Sequence, residues 1–384
     1  MRVLIVGGGV AGLATAIAAR DAGLEAVVLE RRPAVAQGGG SVLTLAPNGA
    51  SAAQAIGVLP DLEAAGFPTD ENLLVGATGR PLGAVSIGVP LRPGLRGLTL
   101  RRADLVAVLA EHARRRGVEL RAGAAVTAVD GAAAVLERGG RIEGDVLVGA
   151  DGVRSRVRRA IDPDAPAPRS TGLTNFGGVT EDPAVVLPSR AWTMVFGRRA
   201  FFGAHPTPSG AVVWFVNVPE PPVPAEVRRA TGEAAWRARL LDLVRDDAGP
   251  AAALIAAGRL ELAADPSYDL PRVRRWQDGR AVVVGDAAHA PAPSSGQGAS
   301  LALEDAVVLA RELSAPGTAP AAGLERFERA RRRRVRRVAA VGARSSSSTI
   351  PGPAGLRMQE AVMRVLFRTV VTELGAAWMT GARW

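Results

Sequence analysis

The chain has 384 residues, a formal net charge of +10 and 48% hydrophobic residues. This length allows two or three domain-sized units, or one large α/β body with an insert, and the apolar content is enough for a sizeable core. The chain contains no cysteine and no lysine, which excludes disulfides, thiolate catalysis, cysteine metal sites, cysteinyl attachment of a cofactor and lysine nucleophiles.

Metal binding and membrane insertion are also disfavoured by the sequence. Only three histidines occur, His112, His205 and His289, and no acidic cluster has convincing ligand spacing, so we predict no metal site. Apolar runs such as Val3–Val6 are too short to cross a bilayer, and strand-like residues from position 3 leave no room for a signal peptide. We therefore expect a cytoplasmic protein without a membrane span.

The first segment, VLIVGGGVAGLATAIAARDAGLEAVVLERR, predicts a strand, a helix and a second strand. These elements are expected at Val3–Val6, Ala11–Ala22 and Ala26–Leu29. The turn between the first strand and the helix contains GxGxxG. Gly7 permits a tight turn, Gly9 lets the backbone approach a pyrophosphate, and Gly12 allows close packing of the helix on the strand.

Glu30 ends the second strand, 18 residues beyond Gly12 (30 − 12). An acidic residue at this point accepts hydrogen bonds from ribose hydroxyls and disfavours a 2′-phosphate. This part of the sequence therefore indicates an adenosine with free ribose hydroxyls, as in NAD or FAD.

The pattern of helix and strand continues to residue 149. Arg101–Gly117 predicts an amphipathic helix, and its inward-facing residues are Leu105, Val108, Leu109 and Ala113. Further strands are predicted at Val118–Leu120, Ala125–Val129, Ala134–Leu136 and Val146–Val148. The last of these runs into a second strand-then-turn segment, DVLVGADGVRSRVRR, which a single nucleotide site would not require.

Between about residues 160 and 275 the character of the sequence changes. Proline-rich pieces appear, and alternation with a period of two replaces the βα pattern. Strands of a mainly antiparallel sheet are predicted at Trp192–Phe196, Ala200–Gly203 and Ala211–Val218. Because the βα pattern resumes at Ala281–Gly285, we interpret this part as an insert.

The third segment is GRAVVVGDAAHAPAPSSGQGASLALEDA. A strand ends at Gly285, and the next residue, Asp286, can bind a sugar-like polyol hydroxyl. Pro291 and Pro293 stiffen the loop that follows. Gly296, Gln297 and Gly298 then present bare N–H groups before a helix from about Ala299 to Leu313, where a helix N-terminus stabilises negative charge on a reduced flavin ring. This segment favours FAD over NAD.

The arginine-rich run ARRRRVRRV, residues 330–338, could bind nucleic acid or a membrane surface. The alternative is the solvated face of a helix whose apolar residues point inward: Leu324, Phe327, Val335 and Val338. We expect no nucleic-acid binding, because no aromatic interleaving or nucleic-acid module accompanies the run. Residues 359–384 predict an amphipathic helix.

Together the three segments resemble the FAD-dependent class A aromatic hydroxylases, the p-hydroxybenzoate hydroxylase-like flavoprotein monooxygenases, and within them the salicylate, hydroxybenzoate and urate hydroxylase group. The resemblance covers nearly the whole chain, through GGGVAGLATA, LERR, RRADL, GADGVRSRVRR and GDAAHAPAPSSGQGASLALEDA. It implies an α/β fold in which a Rossmann-like FAD-binding domain (1–70, 97–165 and 276–345) carries an inserted, mainly antiparallel β-sheet substrate domain (71–96 and 166–275). A C-terminal helical cover (346–384) completes the implied architecture.

The resemblance also implies which residues hold FAD. Arg102 of RRADL would reach the phosphates, in competition with Arg101 and Arg31. Asp151 belongs to a motif associated with both FAD and the nicotinamide nucleotide, and His289 is interpreted as structural. The complete implied set for FAD is Gly7, Gly9, Val10, Ala11, Gly12, Glu30, Arg31, Arg102, Val126, Asp151, Asp286, Pro293, Gly296, Gly298 and Ala299.

A substrate pocket is predicted on the middle sheet. Its wall would include Phe201, Phe202, Trp214 and Phe215, although ordinary sheet core is an equally good interpretation of any one of them. His205, expected in the turn after FFGA, is the candidate catalytic residue that binds or deprotonates a phenol, and an exposed turn histidine is the alternative.

The resemblance implies an FAD-dependent NAD(P)H:O2 monooxygenase. In that chemistry NADH or NADPH reduces noncovalent FAD, O2 gives a flavin C4a-hydroperoxide, and an aromatic or polycyclic small molecule is hydroxylated. The alternatives are an epoxidase or oxidase on the same fold and a non-oxygenating flavin-binding partner in a pathway. The sequence leaves open the substrate, its regiochemistry, the preference for NADH or NADPH, and a monomer or a homodimer.

Overall fold

The computed structural model describes residues 1–34, 42–87, 95–291 and 295–345; side chains are described as far as residue 338. The strands in this part of the chain are β1 (Arg2–Val6), β2 (Glu25–Glu30), β3 (Val42–Leu45), β4 (Phe67–Thr69), β5 (Glu71–Gly76), β6 (Pro81–Ser86), β7 (Gly97–Arg101), β8 (Glu119–Ala122), β9 (Val126–Asp130), β10 (Ala133–Leu136), β11 (Arg141–Glu143), β12 (Val146–Gly149), β13 (Arg169–Thr180), β14 (Ala191–Phe196), β15 (Phe201–Pro206), β16 (Val212–Pro219), β17 (Arg259–Asp269) and β18 (Ala281–Val283). The α-helices are α1 (Val10–Asp21), α2 (Pro47–Ala55), α3 (Leu59–Ala65), α4 (Arg102–Arg115), α5 (Arg156–Ile161), α6 (Ala225–Ala230), α7 (Glu233–Val244), α8 (Ala251–Ala257), α9 (Gly298–Ser314) and α10 (Pro320–Ser345).

A five-stranded sheet forms the centre of the nucleotide-binding body, with the order β18-β12-β1-β2-β8. All of its neighbouring strands are parallel, and Leu4 of β1 lies opposite Val27 on one side and Leu147 on the other. Short, continuous apolar strands of this kind are typical of a parallel sheet that helices cover on both faces. The predicted strand–helix–strand start of the chain is confirmed.

Helix α1 packs against β1 and β2, and helices α4 and α9 pack against α1. α1 is buried along most of its length, which is why its sequence is apolar and alanine-rich on nearly all sides. It ends before Gly23, whose positive φ of +79° is the left-handed conformation that glycine adopts without strain. In α4 the predicted inward residues Leu105, Leu109 and Ala113 are buried.

Two small sheets flank the body, with the orders β3-β7-β4 and β11-β10-β9. β8, which the sequence groups with β9 and β10, instead joins the parallel sheet beside β2. The sheet formed by β3, β7 and β4 lies between the parallel sheet and the inserted sheet. Its side chains can therefore contact both.

The insert is a seven-stranded sheet with the order β17-β13-β16-β15-β14-β5-β6. Its pairings are antiparallel except for the parallel pair β14 and β5. The predicted change to antiparallel structure is therefore confirmed. β5 and β6 lie within the predicted segment 71–96 and belong to this sheet, while the exact domain boundaries stay a prediction.

α9 and α10 close the body, and α10 corrects one expectation. Leu324, Phe327, Val335 and Val338 are buried, as predicted. Arg331, however, is 1% exposed rather than solvated, because it lies four residues before Val335 on the same helix face. The predicted C-terminal helical cover at 346–384 and the predicted contact at Pro293 lie outside the described residues.

Candidate functional site

The glycine turn between β1 and α1 forms a backbone cradle. Gly7 has φ +111°, and a Cβ there would lie 2.4 Å from the carbonyl oxygen of Ala150. A Cβ on Gly12 would lie only 1.9 Å from the carbonyl oxygen of Gly7, so close packing requires glycine there. A Cβ on Gly9 would meet no protein atom within 4 Å, so protein packing does not require glycine there. The open space beside Gly9 and the N-terminus of α1 suits a phosphate group.

Glu30 is fixed at the end of β2. Its Oε2 accepts a hydrogen bond from the N–H of Gly8 at 2.7 Å, and its Oε1 accepts one from the N–H of Arg32 at 2.9 Å. Each carboxylate oxygen keeps further acceptor capacity. Glu30 is thus oriented beside the glycine turn, where it can accept from ribose hydroxyls.

The three competing arginines have different surroundings. Arg101 donates to both carboxylate oxygens of Glu261, at 2.7 and 2.8 Å, and so ties β7 to β17 of the inserted sheet. Arg102 is exposed at the first position of α4, and its positive charge partly offsets the burial that raises the pKa of Asp286. Arg31 is exposed beyond β2. The structure therefore brings Arg102 towards Asp286 and commits Arg101 elsewhere.

Asp151 stabilises the start of α5. Its Oδ2 accepts hydrogen bonds from the N–H groups of Arg156 at 2.7 Å and Val157 at 3.3 Å. Its Oδ1 is buried and has no partner among the described residues, so one acceptor is left for a group outside the chain.

Arg158, a residue that the sequence analysis did not single out, ties this segment to the third one. It is 2% exposed and donates to the carbonyl oxygens of Ala287 at 2.9 Å and Val153 at 2.7 Å. Burial lowers the pKa of its guanidinium. Arg158 lies in a basic run in which the other arginines are exposed. No hydrophobic periodicity in this run indicates that Arg158 is buried or which groups it contacts.

The turn after β18 carries Asp286. Residues Gly285–Ala287 form a single 3-10 turn, and Gly285 has φ +56°. The Asp286 side chain is open to solvent yet recessed among protein atoms, and this burial raises the pKa of its carboxyl. A Cβ on Gly298 would lie 3.9 Å from Asp286 Oδ1, so the turn and the start of α9 are adjacent.

The N-terminus of α9 follows a glycine-containing turn and has no side-chain cap from its N-cap residue, Gln297. The first turn of the helix contains no acidic residue. Gly296 has φ +60°, the left-handed conformation that favours glycine. The first N–H groups of this 17-residue helix have no acceptor within the helix itself, and they lie at the positive end of its dipole.

The three sequence segments meet at one place. A Cβ on Gly285 would lie 2.8 Å from the Cβ of Ala11, and a Cβ on Gly7 would contact Ala150. Val10 and Ala11 begin α1 at this junction, and Val126 lies on β9 next to Thr127, whose carbonyl accepts from Arg156. A long dinucleotide fits this junction: it has one open phosphate cradle, one oriented acid for a ribose, and a second helix N-terminus for an electron-rich ring.

One face of the inserted sheet presents aromatic side chains towards the nucleotide-binding body. Phe201 and Phe215 are half-buried, with ring centroids 5.9 Å apart, and Trp192 lies 5.4 Å from Phe215. Met194 lies on this face as well, since a Cβ on Gly203 would meet both Met194 and Phe215. This surface is the candidate substrate wall, and it includes two residues that were not predicted for it from the sequence, Trp192 and Met194.

Two residues predicted for the pocket lie on the opposite face. Phe202 and Trp214 are each 1% exposed and belong to the core that α7 and α8 cover. Trp214 also donates its indole N–H to Thr180 Oγ1 at 3.1 Å. The prediction that these two line the pocket is wrong, because successive strand residues point to opposite faces.

His205 is not in a turn. It lies within β15 and is 1% exposed, between the rings of Phe67 at 4.8 Å and Trp192 at 5.4 Å. Burial lowers the pKa of its imidazole. The predicted turn position and the alternative of an exposed turn histidine are therefore both wrong, and the neutral ring is the form that this environment favours.

A chain of hydrogen bonds leads from His205 to β3. His205 Nε2 lies 3.1 Å from Thr69 Oγ1, which lies 2.7 Å from Thr99 Oγ1. Thr99 Oγ1 lies 2.7 Å from Thr44 Oγ1, and Thr44 accepts the indole N–H of Trp192 at 3.0 Å.

The two ends of this chain fix the direction of every bond in it. His205 Nδ1 lies 2.7 Å from the carbonyl oxygen of Pro206, which can only accept, so Nδ1 carries the proton. The neutral Nε2 then accepts from Thr69, Thr69 accepts from Thr99, and Thr99 accepts from Thr44. The chain is consistent throughout, because the Trp192 indole at the far end can only donate.

Neither a metal cluster nor a membrane-spanning helix is found within the described ranges. No group of three or more histidine, aspartate or glutamate side chains there could hold a metal ion. No helix there is long and apolar enough to cross a membrane.

Comparisons with known proteins match this architecture. A family model described as "FAD binding domain" matches residues 1–341. An aurachin C monooxygenase/isomerase from Stigmatella aurantiaca is 32% identical over 341 residues, with 85% of this chain and 84% of that protein covered. A 3-hydroxybenzoate 6-hydroxylase 1 from Aquipseudomonas alcaligenes is 31% identical over 349 residues, with 85% and 84% covered. Among solved structures, a variant of Klebsiella pneumoniae HpxO complexed with FAD has a TM-score of 0.82 at 25% identity, covering 99% of both chains.

Proposed function

Because this chain belongs to the FAD-binding class A flavoprotein monooxygenase family, with FAD as its cofactor, we propose that it hydroxylates an aromatic or polycyclic small molecule, using NAD(P)H and O2. The relatives named above include a 3-hydroxybenzoate 6-hydroxylase and an aurachin C monooxygenase/isomerase. The substrate class proposed for this chain is therefore a flat, electron-rich ring system.

The aromatic face of the inserted sheet is the observation that carries the proposal. Phe201, Phe215 and Trp192 form a continuous row of ring contacts, and Phe201 and Phe215 remain partly accessible. Half-buried aromatic rings offer a flat substrate offset stacking and exclude water from the site.

The residues that would hold FAD fit its parts. Gly9 and the N-terminus of α1 would bind the pyrophosphate, and Glu30 would accept from the adenosine ribose. Asp286 would bind the ribityl chain, while Gly298 and Ala299 would contact the ring through their backbone. When bound and reduced, FAD supplies the activation of O2 for hydroxylation. The N-terminus of α9 would stabilise negative charge on the reduced ring.

The catalytic role predicted for His205 becomes a positioning role in this proposal, because His205 acts through other groups. Its ring nitrogens are both hydrogen-bonded, so the substrate does not contact it directly. Thr44 is half-buried on β3, two residues before Ala46, whose N–H donates to Ser300 of α9. A phenol that donates a hydrogen bond to Thr44 Oγ1 would be oriented by the hydrogen bonds that run through Thr99 and Thr69 to His205 Nε2, while the imidazole stays neutral.

Substrate-stimulated oxidation tests the proposed function. The FAD-loaded protein is incubated with NADH or NADPH and a panel of 3-hydroxybenzoate, other phenolic acids and polyketide-like phenols. Nicotinamide oxidation, O2 uptake and product mass are followed together. The proposal expects at least one phenol to accelerate oxidation and to gain one oxygen atom from isotopically labelled O2.

Two results would count against hydroxylation. Stimulated oxidation in which all O2 becomes hydrogen peroxide would indicate an oxidase. FAD binding with no response to any phenol in the panel would favour a flavin-binding partner without oxygenation.

A further inference from the structure

Two neighbouring acidic residues of α9 are completely buried. Glu304 and Asp305 are both 0% exposed. Burying a carboxylate costs several kcal/mol unless it is paired and hydrogen-bonded. Buried carboxylates at these positions therefore require partners. One set of partners lies on α10, and the other lies in the segments around the predicted flavin site.

On one side, the arginine-rich helix α10 supplies the positive charge. Arg331 Nε donates to Asp305 Oδ1 at 2.6 Å, and Arg331 Nη1 lies 2.6 Å from Glu304 Oε2. Arg334 donates to both oxygens of Glu304. Burial alone would raise the pKa of Asp305, but His289 and Arg331, with the N–H of Gly285, outweigh it and lower the pKa to about 2, so this carboxylate stays ionised.

On the other side, the same carboxylates hold the segments that face the flavin site. Asp305 Oδ2 accepts from the N–H of Gly285 at 2.8 Å and lies 2.6 Å from His289 Nε2. These two residues bracket Asp286, so their attachment to Asp305 sets where the Asp286 carboxylate points.

Glu304 acts on two further segments of the site. Its Oε1 accepts from Asn48 Nδ2 at 2.8 Å, and the same Nδ2 lies 3.1 Å from Gln297 Oε1. Asn48 belongs to α2, and Gln297 is the N-cap of α9. Glu304 therefore connects the start of α9 with the β3–α2 junction.

We propose that Arg331 is a positioning residue for the flavin, acting through Asp305 and Glu304 on the Asp286 turn and on the N-terminus of α9. The guanidinium is suited to this role because its planar fork forms ion pairs with two different carboxylates at once. A lysine ammonium at the same place keeps the positive charge, but it cannot contact Asp305 and Glu304 in the same geometry as the planar guanidinium.

A purely structural role explains this network less well. The buried residues Leu324, Phe327, Val335 and Val338 already attach α10 to the body. Buried ion pairs seldom stabilise a fold more than well-packed apolar side chains of similar volume. Their value lies in fixing one geometry, which is what a cofactor site needs from its supporting residues.

The experiment compares Arg331→Lys and Arg331→Met with Arg333→Lys and Arg333→Met. Arg333 lies in the same run but is exposed, with no ion pair among the described residues, so it is the matched control. The rate of FAD release from each holoenzyme is followed by flavin fluorescence. The visible circular dichroism of the bound flavin and the thermal midpoint of the FAD-free protein are measured in parallel.

We expect both Arg331 variants to release FAD faster, on the order of 10- to 100-fold, as is found for the loss of outer-shell partners at metal sites. Their flavin circular dichroism should change, and the Arg333 variants should match the parent protein. A lower thermal midpoint in the Arg331 variants with unchanged FAD release and unchanged flavin dichroism would overturn the proposal.

A second pair of variants covers the case in which the Arg331 variants do not fold. His289→Leu removes the other partner of Asp305, whereas His289→Gln retains an N–H donor. The proposal is supported if His289→Leu releases FAD faster than the parent protein and His289→Gln releases it at the parent rate. It is refuted if the two variants release FAD at the same rate. Because these readouts concern FAD rather than the substrate, failure of the proposed hydroxylation would be seen separately.

Discussion

The substitution Gly9→Ala should weaken FAD binding without unfolding the protein. A Cβ at position 9 meets no protein atom within 4 Å, and the backbone there has φ −89° and ψ −168°, which alanine also adopts. Two small effects on stability oppose each other. Alanine is a poorer N-cap than glycine, but it loses less chain entropy on folding, and each effect is roughly 0.5–1 kcal/mol. The net change in the free energy of unfolding should therefore stay within about 1 kcal/mol.

The effect on binding should be larger, because the new methyl group enters the space that the pyrophosphate needs. Loss of one hydrogen bond to a charged group costs about 1.5–3 kcal/mol, which corresponds to roughly a 10- to 150-fold increase in Kd. Titration with FAD, followed by its fluorescence, gives the Kd, and urea unfolding of the FAD-free protein gives the stability.

Gly12→Ala is the matched control. A Cβ there would lie 1.9 Å from the carbonyl oxygen of Gly7, so this variant should be destabilised even without FAD. The reasoning fails if Gly9→Ala binds FAD with the parent Kd, or if it loses as much stability as Gly12→Ala.

Three further outcomes are expected. The pKa of Asp305 falls from 3.8 to about 2 on folding. Its ionisation therefore contributes about 2 kcal/mol to the free energy of unfolding; this contribution is complete above pH 4 and is lost as the pH falls towards 2. Urea unfolding between pH 4 and pH 2 should show a smaller pH dependence in Asp305→Asn than in the parent protein. Burial depresses the pKa of His205, so stability should decrease as the pH falls below about 6.5, and nitrogen NMR should show a neutral ring with its proton on Nδ1; a proton on Nε2 would contradict the direction of the threonine chain. Trp214→Ala should cost about 3–5 kcal/mol in unfolding free energy, whereas Phe215→Ala should cost less and should alter substrate-stimulated NAD(P)H oxidation. Equal losses of stability in these two variants would contradict the assignment of the two faces.

The nucleotide-binding start of the chain could be predicted from sequence because its determinants are local. Gly7, Gly9 and Gly12 lie within six residues, between a strand and a helix with clear periodicities. Glu30 follows at the end of the next strand. Each of these features depends on neighbours in the chain, so sequence spacing alone locates them.

The substrate wall could be predicted only in part. In FFGAH and VVWFVNV almost every position is apolar, because helices cover one face of the sheet and the nucleotide-binding body covers the other. A period of two then identifies a strand but cannot say which residues face the pocket. Phe202 and Trp214 were assigned to the wrong face for this reason.

The buried polar groups were the least predictable part. Arg331 shares a helix face with Val335 and Val338, and this spacing predicts that its side chain points inward. The residue type predicts the opposite, because arginine side chains are mostly exposed to solvent. His205 depends on Thr69, Thr99 and Thr44, which are remote in sequence. No local sequence pattern predicts hydrogen bonds between residues that lie so far apart in the chain.

The strand order of the parallel sheet has a consequence for biosynthesis. β12 lies between β1 and β18, with Leu147 opposite both Leu4 and Ala281. During translation the ribosome releases the first strand of the nucleotide site long before the last, and Arg331 emerges later still. A nascent polypeptide therefore cannot complete its flavin cleft until nearly all of the described sequence has left the exit tunnel. Uptake of the coenzyme becomes a late maturation step, and prematurely terminated products should remain colourless.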